Sequence, residues 1–204
     1  MNTYDKNMSG IYNIMPTPFN DDETIDVDSL ISVTEFMLKS GVHGVTILGV
    51  LGEAHKLIDS ERDIVIRTVV DVVSGQIPIC VGTSHASTFG CIVASNKAIE
   101  LGASSLLITP PKIMRPSDPA VSNHYLTLAS ALDVPIVIQD HPSSTGVYMS
   151  TEMLVDLVHQ DASLCNIKLE DEPSPKKVSD LLQKNPNMRI FGGLGGMMFV
   201  EELL

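Results

Sequence analysis

The chain is poor in cysteine: Cys80, Cys91 and Cys165 stand far apart, are odd in number and form no C-x-x-C pair. That pattern argues against a disulfide framework and a zinc knuckle and points to a reducing compartment. Basic charge is also scarce. Thirteen Lys+Arg face 25 Asp+Glu, a net charge of −12 with a pI near 4.7, and no Lys/Arg cluster reverses the field locally. A field of this sign repels phosphate backbones and anionic lipid heads, so neither nucleic acid nor a membrane surface is expected as a partner. Any anionic substrate has to be held by local donors. Long apolar runs are missing as well. Residues 1–9 are polar, and Pro16 and Pro18 interrupt the next stretch, so no signal peptide is read. Nothing approaches the roughly 20 apolar residues of a membrane span. The composition reads as a soluble, cytoplasmic protein.

What is present is ample for a core: 44% of the 204 residues are hydrophobic and only 19% are charged, too few charges for a disordered acidic chain. The size suits one large domain. Along it one unit recurs: a short run of Ile, Val and Leu, a turn, then 10 to 16 residues with helical spacing. Strands are expected at 11–15, 44–48, 77–81, 105–109, 135–139, 165–168 and 189–191, and helices at 26–40, 59–74, 88–101, 118–132, 150–159 and 174–184. Asp59 two residues before Glu61, Ser87 or Thr88, and Ser174 followed by Pro175 read as helix starts. Gly41, Gly75 and Gly102 fall just past helix ends. Strands apolar on both faces, each followed by a helix, describe a parallel sheet covered by helices. A doubly wound sheet would carry its Gly-rich loop after an early strand, whereas here the Gly-dense stretch 192–196 comes after the last one. The expected fold is therefore α/β, a TIM-type (β/α) barrel in a single domain over residues 1–204.

Barrel chemistry sits where strands end, so the residues after each expected strand matter. They are Gly49 to His55, Gly82 to His85, Thr109 to Lys112, Gln139 to Gly146, Lys168 with Glu170 and Asp171, and Gly192-Gly193. Lys168 is the most informative. The pleat can turn a strand-end lysine inward, and apolar walls disfavour its ammonium form, freeing an amine to attack a carbonyl. The competing reading is an exposed loop lysine paired with Glu170 or Asp171.

In this order, Pro16-Thr17-Pro18-Phe19, Gly49-x-x-Gly52-Glu53, Pro110-Pro111, Pro142-x-x-Thr145-Gly146 and Ile167-Lys168 resemble the pyruvate-dependent class I aldolases, the dihydrodipicolinate synthase and N-acetylneuraminate lyase family. The resemblance spans essentially the whole chain. It implies a Schiff-base-forming lyase, whether aldolase, synthase or dehydratase, in which Lys168 condenses with pyruvate or another 2-oxo acid. No metal or organic cofactor is implied, since the covalent imine is the electron sink, and members are usually homotetramers. It also implies that Gly49, Val50, Leu51 and Gly52 hold the substrate carboxylate, with Gln139 and Gly192 lining the same site.

Departures from the family pattern bear on the reaction. Val50 and Leu51 stand where hydroxylic residues are usual, leaving backbone donors only. Gln139 replaces the proton-relaying tyrosine, Ile113 the second aromatic, and Ser144 the arginine near the mouth. An amide cannot exchange a proton near neutral pH as a phenol can. The lysine-pathway synthase reaction is therefore doubtful and another proton carrier is expected. Asp140 and His141 come directly after Gln139, and the histidine has the better ambient pKa. His55, His85, Glu53 and Glu170 are further candidates. His43, His124 and His159 read as solvated or helix-end residues. Two other functions fit less: a metal-dependent barrel hydrolase using His55, His85 and His141 with Glu53, Asp140 and Asp171, and a non-catalytic barrel that binds a 2-oxo acid. A closed barrel also takes about 250 residues and eight strands, so a chain of 204 is expected to lack the eighth strand and the C-terminal helices.

Overall fold

A computed structural model describes residues 8–111 and 117–203. Its strands are β1 (Tyr12–Ile14), β2 (Gly44–Ile47), β3 (Ile79–Gly82), β4 (Ser105–Ile108), β5 (Ile136–Asp140), β6 (Asn166–Leu169) and β7 (Arg189–Gly192). Its helices are α1 (Val27–Lys39), α2 (Asp59–Val73), α3 (Thr88–Leu101), α4 (Asp118–Ala131), α5 (Pro142–Thr145), α6 (Thr151–Gln160), α7 (Ser174–Lys184) and α8 (Phe199–Leu203). Strand and helix alternate along the chain, the pattern of a TIM-type α/β barrel. Among the described residues no helix is long and apolar enough to cross a membrane.

The chain packs as two compact units, one containing residues up to Thr83 with Ala94–Leu107, the other Ser84–Val93 with the residues from Ile108 onward. In the first, β1 pairs with β2, β2 with β3 and β3 with β4, all parallel. β2 is buried along its whole length, as a parallel strand covered on both faces must be. α1 packs on α2; it starts at Asp26, whose side chain accepts from the Ser29 N–H at 2.9 Å and so satisfies a donor that the helix cannot. Gly41, Gly75 and Gly102 all take positive φ, the left-handed backbone that ends a helix where a Cβ would be strained.

In the second unit β5 pairs with β6 and β6 with β7, again parallel. α6 packs against α4 and α7, and α7 against α8. The core is apolar, with Ile138, Leu154, Ile167 and Leu181 fully buried. Helix starts differ locally from expectation. Ser87 does cap α3, its Oγ accepting from the Gly90 N–H at 3.1 Å. Asp59, however, is the first helical residue of α2, and the Glu61 carboxylate accepts from the Ile58 N–H at 2.9 Å. Ser174 likewise lies inside α7, after Pro173. The unexpected helix α5 is one turn, begun by Pro142, whose ring presets φ, and closed by Gly146 at φ 72.

His124 departs most from its expected place on a solvated surface. It is buried on α4, its Nδ1 lies 2.9 Å from Thr88 Oγ1, and its Nε2 has no hydrogen-bond partner among the described residues. Burial pulls its pKa down from 6.5 to about 4. The unfolded chain then binds the proton more tightly, so the stability due to the neutral ring is complete above 6.5 and is lost as pH falls toward 4. The full shift corresponds to about 3 kcal/mol, and to about 2 kcal/mol after a discount for solvent reaching the ring. Urea unfolding of the wild type should lose that amount on acidification across this window. His124→Gln should not; equal losses in the two proteins would refute the assignment.

Candidate active site

Parallel pairing of β5 with β6 sets Gln139 beside Lys168 and Asp140 beside Leu169. Because successive side chains of a strand point to opposite faces, Gln139 and Lys168 project together while Asp140 and Leu169 project the other way. This parity divides the polar residues of the second unit into two groups.

The first group is built on Glu170. Its carboxylate is nearly buried, at 8% exposure. Oε1 accepts from Lys168 Nζ at 2.8 Å and Oε2 accepts from the buried Gln139 Nε2 at 2.8 Å. His141 Nδ1 lies 3.8 Å from Oε2 and, although buried, has no hydrogen-bond partner among the described residues. Glycine at 193 makes room for this group: a Cβ there would collide with Glu170 Cγ and meet its Cδ at 2.6 Å. The lysine is therefore neither an exposed loop residue nor walled by apolar groups alone. Its side chain is 12% exposed and meets a buried carboxylate.

The second group lies on the opposite face. Asp140 is fully buried; its Oδ2 accepts from Lys177 Nζ on α7 at 2.7 Å, and the same ammonium donates to Asp171 at 2.8 Å and to the Met149 carbonyl at 2.6 Å. Burial pushes the Asp140 carboxyl above its usual range, against the opposing pull of Lys177. Asp140 Oδ1 has no partner among the described residues. The structure thus does not bring Asp140 to Lys168, although it adjoins His141 in sequence. Lys177, which completes the second group, stands in none of the motifs, whereas Gly193, which completes the first, belongs to the Gly-dense stretch after the last strand.

The remaining candidates make other contacts. Gly192 pairs with Leu169 rather than Lys168, and a Cβ on it would collide with Glu202 Oε2; that carboxylate is held by Ser174 Oγ at 2.6 Å. Ser144 is exposed and donates to the His141 carbonyl. Ile113 lies outside the described residues. In the first unit, the turn from Gly49 to Gly52 begins after Leu48 at φ 56. The Gly52 carbonyl accepts from Thr17 Oγ1 at 2.7 Å, while Val50 and Leu51 are exposed. Glu53 is paired with Lys56, and His55 is exposed. His85, in the second unit, is exposed too, its Nδ1 accepting from the Ser87 N–H. Among the described residues no group of three His, Cys, Asp or Glu side chains is placed to hold a metal ion.

The chain is similar to proteins of known activity. The L-2-keto-3-deoxyarabonate dehydratase of Azospirillum brasilense is 30% identical over 177 residues, 85% of this chain and 57% of the relative. The 4-hydroxy-tetrahydrodipicolinate synthase of Stenotrophomonas maltophilia is 30% identical over 189 residues, 93% of this chain and 63% of the relative. The crystal structure of the chloride-inhibited dihydrodipicolinate synthase of Acinetobacter baumannii, in complex with pyruvate, matches 90% of this chain and 63% of its own, with a TM-score of 0.85 and 27% identity. The chain spans less than two thirds of the length of each. Residues 7–200 match the dihydrodipicolinate synthetase family, and the chain belongs to that family.

Proposed function

We propose that this protein is a Schiff-base-forming lyase acting on pyruvate or another 2-oxo acid, with Lys168 as the nucleophile. One observation carries the reading: a strand-end lysine, 12% exposed, with its Nζ 2.8 Å from a buried carboxylate able to take its proton. An amine must be neutral to attack a carbonyl, and a partner within hydrogen-bond reach supplies that form without bulk base. The imine nitrogen is then the electron sink, so the chemistry calls for neither metal nor organic cofactor. The pyruvate complex of the Acinetobacter relative and the 2-keto sugar acid named for the Azospirillum one support the substrate class.

Within the family's reactions, dehydration or aldol cleavage fits this chain better than the lysine-pathway synthase. Gln139 occupies the place of the relaying tyrosine and is engaged with Glu170. For the first unit we assign anion binding to the backbone N–H groups of Gly49, Val50, Leu51 and Gly52, since turn glycines let such donors approach a carboxylate. Homo-oligomerisation belongs to the same proposal. Borohydride reduction in the presence of pyruvate, then across a panel of 2-oxo acids, should add one reduced substrate unit to the peptide carrying Lys168. An unmodified Lys168 with every acid tried would sink the reading.

A further inference from the structure

We propose that Glu170 is the acid–base catalyst of this site, the group that moves protons to and from the lysine and the substrate carbon. The inference rests on the Schiff-base reading of Lys168 and adds a role to it. Gln139 is an amide and transfers no proton near neutral pH. Its hydrogen bond instead fixes the carboxylate through Oε2, leaving Oε1 on Lys168 Nζ at 2.8 Å. The absent Cβ at Gly193 gives the carboxylate its room. A carboxylate this buried is costly to keep beside a lysine if the pair serves packing alone, because desolvation offsets most of the attraction. It is well placed if its proton is used.

The Lys168 ammonium gives a proton to Glu170, leaving a neutral amine and a carboxylic acid. The amine attacks C2 of the 2-oxo acid; the carbonyl electron pair goes to oxygen, and the nitrogen's surplus proton moves to that oxygen. Glu170 protonates the resulting hydroxyl, water leaves, and the product is a protonated imine beside a carboxylate. That carboxylate then removes a proton from C3. The C–H pair forms the C2–C3 double bond of an enamine, and the C=N π pair settles on nitrogen. Returning the proton regenerates the imine, so in deuterated water the methyl group of pyruvate exchanges hydrogen for deuterium.

Methyl exchange of pyruvate, monitored by proton NMR and divided by the amount of borohydride-trapped imine, isolates this role. Glu170→Gln should still trap imine at equilibrium, yet exchange per imine should fall about 100-fold or more, the usual contribution of a positioned acid–base group. Glu170→Asp keeps a carboxylate set back by one methylene and should fall between the two. It decides the matter if the glutamine variant folds poorly or accumulates no imine. Exchange per imine equal to wild type in the informative variant overturns the proposal for Glu170 while leaving Lys168 intact. Absence of trapped imine in the wild type removes the Schiff-base reading itself and this inference with it.

Discussion

Lys168→Ala should form no borohydride-stable adduct with pyruvate, and methyl exchange should drop to the rate of pyruvate alone. The expectation is specific to this residue because the second unit contains another lysine equally withdrawn from solvent. Lys177 is also 12% exposed, but its three N–H donors are committed to Asp140, Asp171 and the Met149 carbonyl. An ammonium bonded three times has no position left for an incoming carbonyl. Lys168 Nζ donates to Glu170, a carboxylate that can take its proton. Removing the lysine also strands a buried carboxylate, so Lys168→Arg is the companion variant. It keeps a cation against Glu170 but has no amine to condense, and should likewise trap nothing. An adduct persisting in either variant, on any other peptide, would move the nucleophile elsewhere.

The repeated strand–helix pattern is legible in the sequence because fully buried parallel strands are continuous apolar runs, and β2 and β5 are buried throughout. Lys168 is legible for a related reason: a charged residue closing such a run has few positions to occupy. Its partner is less so. The sequence offers Glu170 or Asp171 as an ion-pair partner and, directly after Gln139, His141 ahead of Asp140 as proton carrier, which leaves Asp140 among the candidates for the lysine's side. Strand parity decides otherwise, since Gln139 and Asp140 are neighbours on one strand and must face opposite ways. Glu170, two residues after Lys168, falls on the lysine's side by the same alternation, and its N–H extends the ladder by donating to the Asp140 carbonyl at 2.8 Å. The room it needs depends on Gly193, beyond the next helix and strand, a dependence no local pattern reveals. His124 is misread from sequence because a polar residue on a helix looks solvated, yet it precedes the fully buried Tyr125 and shares its environment. Lys177 is recoverable from helical spacing: Ser174, Val178 and Leu181 are the buried residues of α7, and a residue three after the first and four before the last lies on that face.

Lys177→Met should be the most destabilising single change in the second unit, costing about 3–5 kcal/mol, the usual penalty for removing one partner from a buried ion pair. For a chain of this size that lowers Tm by about 10 °C or more. Methionine matches the length of the lost stem, so little of the loss comes from packing. What remains is a fully buried Asp140 whose Oδ1 already has no partner among the described residues, now deprived of the ammonium on Oδ2. The direction of its shift sets the pH dependence. Asp140 is held above the ordinary value of 3.8 mainly by burial, and Lys177 opposes that rise. Without the lysine the folded protein binds the Asp140 proton still more tightly than the unfolded chain does. Stability then falls as pH rises from 3.8 through the raised folded value, so the variant's deficit should be greatest near neutrality and shrink toward acid. Adding Asp140→Asn removes the stranded charge and should recover part of the loss in a double-mutant cycle, with a coupling energy of about 1–3 kcal/mol. Additive effects of the two changes, or a deficit that grows on acidification, would show that the Lys177 cluster is held by something other than its charges.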